Sequence, residues 1–308
     1  MRQAVIERLQ EVMRDTGLDA IIAASPENYA YVTGFVVPSH PLMRWRHAMA
    51  VVTADGRTAL LTVDMEETTV RSKADATTDI RVWGEFTDSP MLALADLLAD
   101  LGLTNAQIGV ELDFLPAEDN ARLTGGLLPE IKFAAAQRLL DRQRQIKTAE
   151  ELELLRQLSR IADRAITDAY GAMRAGMTEM DLAGALTSNV YRYGAEDFRL
   201  MIVATGERSE YPNIGPTERV LEPGDICRVE IFPKIAGYHA GVCRTAVVGD
   251  APALPREIWQ NLVECKYMLL ERMKPGASTR EIYQAFIAKF SELELPAIDF
   301  VGHGIGVH

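Results

Sequence analysis

A carboxylate, two imidazoles and a thiol stand in two short stretches of this sequence. Glu230, His239 and Cys243 lie within DICRVEIFPKIAGYHAGVCRT, and His303 sits between glycines in FVGHGIGVH. Carboxylates and imidazoles move protons near neutral pH or hold divalent metals, and a thiol can act as a nucleophile. Glycines on both sides of His303 let backbone and ligand approach its ring closely. In the first half, PLMRWRHAM groups Arg44, Trp45, Arg46 and His47. A guanidinium such as Arg46 can bind a substrate carboxylate bidentately.

The stretch from Asp225 to Gly249 reads as two strands forming a hairpin. Centred between Ile235 and Ala236, it sets Glu230 opposite Gly241, Phe232 opposite His239 and Arg228 opposite Cys243. Alternation then puts Arg228, Glu230, Phe232, His239, Gly241, Cys243 and Thr245 on one face. Gly241 would leave an open cell beside the carboxylate. His239 and Cys243, four residues apart on one strand, are separated by roughly 13 Å, too far for a Cys–His nucleophilic pair. Bland roles compete with each chemical one: Glu230 paired with Arg228 or Arg244, His239 as a polar hairpin residue, Cys243 as an inert thiol, Arg46 in a solvated basic loop.

The elements that must hold these residues are legible in outline. The N-terminus reads as an amphipathic helix, followed by a buried strand in DAIIAAS and a short helix in ENYAYVTG ending at Gly34. HAMAVVTADGRTALLTV is two strand-like runs around Asp55-Gly56, a hairpin signal. MLALADLLADLG reads as a helix with a glycine stop and IGVELD as a strand, so about the first 140 residues predict an α/β domain. Beyond RLLDRQRQIKTAEE, Thr148 and Glu151 form a capping box before a helix, and Thr178 with Asp181 opens the next. MIVATG, the hairpin and two helices around KPGAS follow.

The second half resembles the catalytic domain of the pita-bread hydrolase superfamily (creatinase, prolidase, aminopeptidase P). The resemblance rests on LEPGDICRVEIFPKIAGYHAGVCRT, like that family's hairpin, and on GHGIG, like its metal-binding histidine segment. It implies residues 1–143 as a creatinase-like N-terminal domain of α/β type and 144–308 as an α+β pita-bread catalytic domain, the latter incomplete at its C-terminal side. It also implies a homodimer. Family peptidases use two divalent metals to generate a hydroxide nucleophile. Carried over by position, the first metal-binding aspartate is Glu230 here, the second is Gly241, and the ligand histidine is His303. A proton-handling histidine falls on Asn213, His308 stands two residues short of the place of a substrate-facing histidine, and two glutamate ligands would fall after His308.

Gly241 has no donor atom, so the bridging carboxylate is lost and two metals in the family's manner are not expected. A single divalent metal on Glu230 and His303 stays open; otherwise no cofactor is expected. Creatinase, a metal-free relative, resembles this chain at Phe232-Pro233 and Gly237-Tyr238, and ectoine hydrolase in having Glu at the first ligand position. The leading expectation is therefore a hydrolase cleaving a C–N bond in a small amide- or amidine-type, carboxylate-bearing molecule. Glu230, His239 and His303 would be catalytic, and Arg46, Phe232 and Cys243 would contact the substrate. The alternatives are a metal-dependent Xaa-Pro dipeptidase and a catalytically inactive binding protein on the same fold.

Composition narrows the partners to small molecules. A formal net charge of −12 over 308 residues disfavours nucleic acid and anionic membranes, both polyanions. No apolar run is long enough to span a bilayer. Three cysteines without metal-type spacing fit a reducing compartment, the cytoplasm by default.

Overall fold

A computed structural model describes residues 1–307, which form two compact units. The first comprises Met1–Gln157, Lys234–His239 and the described residues from Gly306 on; the second comprises Leu158–Pro233 and Ala240–Ile305. His308 lies outside the described residues.

In the first unit, helix α1 (Gln3–Thr16) buries Val5, Ile6, Leu9 and Met13, one stripe at helical spacing, and stops at Gly17 with φ +70°. Strand β1 (Ala20–Ala23) leads into α2 (Pro26–Thr33), which has Pro26 in its first turn. Ser25 caps it by accepting from the Asn28 N–H, and Gly34 closes it in the left-handed region. This is the start-and-stop chemistry that proline, serine and glycine supply at helix ends. β2 (Met49–Thr53) and β3 (Thr58–Val63) turn at Gly56, followed by α3 (Glu67–Lys73), β4 (Asp79–Trp83), α4 (Pro90–Asp100) and β5 (Gln107–Val110). Then come α5 (Ala117–Arg122), β6 (Lys132–Ala135), α6 (Gln137–Gln145) and α7 (Ala149–Ala172), a helix that runs on into the second unit.

The six strands order as β4-β3-β2-β1-β5-β6. β1, β2 and β3 pair antiparallel, whereas β1–β5, β5–β6 and β3–β4 are parallel. Ile22, Val51, Leu61, Leu94, Leu98 and Ile108 build one core layer. Each such buried aliphatic side chain contributes about 1.5–3 kcal/mol.

In the second unit, α8 (Glu179–Arg192) opens on a reciprocal capping box between Thr178 and Asp181. β7 (Asp197–Thr205) and β8 (Ile226–Ile235) follow, then β9 (Tyr238–His239), which lies in the first unit, and β10 (Val242–Val247). The sheet order is β10-β8-β7. Helices α9 (Ala253–Arg272) and α10 (Thr279–Glu292) pack through Cys265, Leu269, Phe286 and Phe290.

Glu179 organises this unit from a fully buried position. Its carboxylate accepts from the backbone and hydroxyl of both Thr205 and Thr217 at 2.8–2.9 Å, and from Arg208. A buried charge is tolerable only when so fully paired. The pairing fixes the segment from Gly206 to Thr217 beside the end of β7. No helix among the described residues is long and apolar enough to cross a membrane.

Candidate active site

The hairpin is real, but its register is offset by two residues from the sequence expectation. Lys234 pairs with His239, Ile235 with Tyr238, Ile231 with Val242 and Glu230 with Cys243. The turn is Ala236-Gly237, both with positive φ (+51° and +84°), as a type I′ hairpin requires. Even spacing conserves the face of each side chain while changing its partner. Cys243, not Gly241, is therefore directly opposite Glu230, and His239 faces Lys234 rather than Phe232.

Along β8, Cys227, Val229 and Ile231 are buried, whereas Arg228 and Glu230 are half-buried on the opposite face. Tyr170 braces the back of this pair of strands: its hydroxyl lies 2.7 Å from the Arg244 carbonyl and 3.1 Å from that of Cys227. Sequence reasoning passed over Tyr170, although it stands four residues after Ile166 on the apolar stripe of α7. Arg228 donates to the carbonyls of Tyr211 and Pro212, which ties β8 to the segment that Glu179 fixes. Arg244 pairs with Asp163 at 2.6 Å. Both arginines expected to neutralise Glu230 are thus engaged elsewhere, and no donor among the described residues pairs with its carboxylate.

The open cell expected at Gly241 is filled. A Cβ on Gly241 would lie 2.2 Å from Cε1 and 2.5 Å from Cζ of Phe232. The Phe232 ring covers the glycine and stacks on His303 with centroids 6.2 Å apart and planes at 16°. Phe300, which sequence reasoning missed, stacks on the same imidazole at 6.0 Å and 26°. The Nδ1 of the exposed His303 lies 2.7 Å from the Gly304 carbonyl. A carbonyl only accepts, so the His303 Nδ1–H is the donor in this contact. Phe232, two residues from Glu230 on the same face, thereby joins the carboxylate's strand to the imidazole.

Cys243 is exposed, and desolvation of its sulfur followed by the Glu230 carboxylate opposite holds the thiol above its ordinary range. It is a neutral thiol at pH 7. His239 belongs to the first unit, is buried, and its backbone N–H donates to the Gly306 carbonyl at 2.8 Å. Arg46 also belongs to the first unit, where its Nε and one Nη grip Glu85 at 2.7 and 2.9 Å. Its bidentate edge is thus held by a protein carboxylate, and a substrate would have to displace Glu85.

Donor chemistry does not fit a two-metal centre. Gly241 offers no ligand, and the Phe232 ring occupies the space where a side chain there would start.

Residues 153–308 match Metallopeptidase family M24, and residues 6–146 match the Creatinase/Prolidase N-terminal domain. The chain is 25% identical over 307 residues to creatinase from a Bacillus species, covering 96% of this chain and 72% of that protein. It is 29% identical over 166 residues to Xaa-Pro dipeptidase from Pyrococcus furiosus, covering 53% of this chain and 47% of that one. Among solved structures, X-Pro aminopeptidase from Thermotoga maritima superposes with a TM-score of 0.82 at 22% identity, covering 98% of this chain and 82% of its own. Prolidase from Pyrococcus furiosus gives 0.78 at 21%, covering 97% and 83%. At these identities the structural likeness establishes the fold, an α/β N-terminal domain and a C-terminal pita-bread domain. With the match extending over half of its length, the chain belongs to metallopeptidase family M24, among the hydrolases of the creatinase and prolidase kind.

Proposed function

We propose that the chain hydrolyses a C–N bond in a small, carboxylate-bearing amide or amidine without the two-metal centre of the family's peptidases. The observation that carries this reading is Glu230: a half-buried carboxylate at a family ligand position, with no partner among the described residues and with Phe232 and His303 stacked beside its strand. A carboxylate held this way can take a proton from water. The oxygen then adds to the amide or amidine carbon, and the C–N bond breaks as the nitrogen regains the proton. His303, an imidazole in the same unit, can carry that proton. Cys243, as a neutral thiol across from Glu230, serves as a weak donor or a contact surface and not as the nucleophile.

A one-metal Xaa-Pro dipeptidase is the second reading. Relatives bearing that name, at 25–29% identity, favour it. One experiment separates the two: turnover of a panel of Xaa-Pro dipeptides, N-acyl amino acids and guanidino acids, in EDTA and in Mn(II). We expect turnover that EDTA leaves intact, and a Glu230→Gln variant with an unchanged melting temperature that loses about 100-fold or more in kcat/KM. Activity that EDTA abolishes and Mn(II) restores would establish the metal reading, and a Gln variant with full turnover would remove Glu230 from the chemistry.

A further inference from the structure

Two of the chain's three tryptophans, Trp45 and Trp83, line one cavity of about 550 Å³ whose lining residues all belong to the first unit. Trp83 is buried and donates its indole N–H to the His47 carbonyl at 3.0 Å, so its ring is fixed. Trp45 is 63% exposed, a large aromatic surface left open to solvent, and its N–H points to Glu85 at 3.4 Å.

Three carboxylates line the same cavity: Glu85, Asp88 and Asp119. Glu85 is matched by Arg46. Asp88 accepts only from the Gly84 backbone N–H among the described residues, and no ion pair there engages it. Asp119 lies 3.0 Å from His47 Nε2. Burial of His47 outweighs the attraction of Asp119 and keeps the imidazole's pKa below its ordinary value, so at pH 7 His47 is neutral and brings no positive charge to Asp119. Among the described residues, Arg44 is the one cation in the lining, and it offsets one of these charges. Indole rings beside a net negative charge attract soft organic cations, which interact with the ring quadrupole and shed water easily.

We propose that this cavity binds a small organic cation of the alkylammonium class, its alkyl groups against Trp45 and Trp83 and its charge met by Asp88 and Asp119. The proposal is independent of the hydrolytic reading, since none of these residues is used there. Anchoring a carboxylate on Arg46 would not predict it.

The test uses the whole chain carrying Trp259→Phe. Trp259 lies in the second unit, so indole fluorescence then reports only Trp45 and Trp83. Choline is titrated against its uncharged carbon isostere, 3,3-dimethyl-1-butanol, at constant ionic strength. We expect a saturable change with choline and binding weaker by about ten-fold or more for the alcohol. Calorimetry on Trp45→Ala and Asp88→Asn, both at exposed positions, should show choline affinity reduced by a similar factor with melting temperatures unchanged. No saturable response to choline, equal response to the alcohol, or full affinity in both variants would each overturn the assignment.

Discussion

His40 sits edge-on to two rings, Tyr29 at 5.9 Å and Phe114 at 6.0 Å; both of its nitrogens are buried with no well-formed hydrogen bond among the described residues, and the Ala24 backbone offsets that burial only in part. Burial pushes its pKa down to about 4, against roughly 6.5 in an unfolded chain. The unfolded state therefore binds the proton more readily. The stability that comes from keeping His40 neutral is complete above pH 6.5 and is lost as the pH falls towards 4. By pH 5 the loss is about 2 kcal/mol. Urea unfolding at pH 7 and pH 5 should show this difference in the native chain, and His40→Phe should remove most of it. An equally steep acid loss in the Phe variant would assign the effect to other groups.

The hairpin that carries Glu230 turns through Ala236-Gly237, and the two positions make opposite demands. Ala236 holds φ +51° with a side chain, at a cost of roughly 1–2 kcal/mol. Asparagine tolerates that region better, so Ala236→Asn should raise stability by about 0.5–1 kcal/mol. Gly237 combines φ +84° with a missing Cβ that would lie 2.8 Å from the Cβ of Ala30. Gly237→Ala should therefore lose about 2 kcal/mol or more. Calorimetric melting of both variants checks the pair, and equal shifts would refute the turn geometry. The ends of this hairpin were readable from sequence, as were the Thr148–Glu151 and Thr178–Asp181 capping boxes, both formed, because such signals are local. Register was not, since Ile-Ala-Gly-Tyr permits a turn at more than one place and only positive φ at Ala236 decides it. Nor could the sequence reveal that the Phe232 ring covers Gly241, because the missing side chain and the ring that fills its place meet only after the strands pair. Glu230, Phe232, Cys243 and His303, singled out through short motifs, fall in one unit, whereas His239 and Arg46 fall in the other. Phe300 carried no sequence signal beyond its nearness to GHGIG.

At the scale of the molecule, the first unit is assembled from three separate stretches of chain. Tyr238, at the hairpin tip, is buried in it and donates to Glu151 at 2.9 Å, with Arg2 bonded to the same hydroxyl and its guanidinium carbon 4.9 Å from the ring centre. Glu151 is itself buried and caps α7 through the Thr148 N–H. Tyr238→Phe keeps the ring and removes the shared oxygen, and it should cost on the order of 1–3 kcal/mol because Glu151 and Arg2 lose a buried partner. Hydrogen exchange should quicken at the amides of α1, and unchanged protection there would show that the hydroxyl is dispensable. The arrangement also sets a schedule for synthesis. When Gln157 leaves the ribosome, 81 further residues must emerge before Tyr238 is free to pack, about 4–16 s at 5–20 residues per second. Over that interval the nascent N-terminal unit holds an unmet buried carboxylate and an unfilled slot for Tyr238, so it should be a better client for chaperones before residue 238 is translated than after.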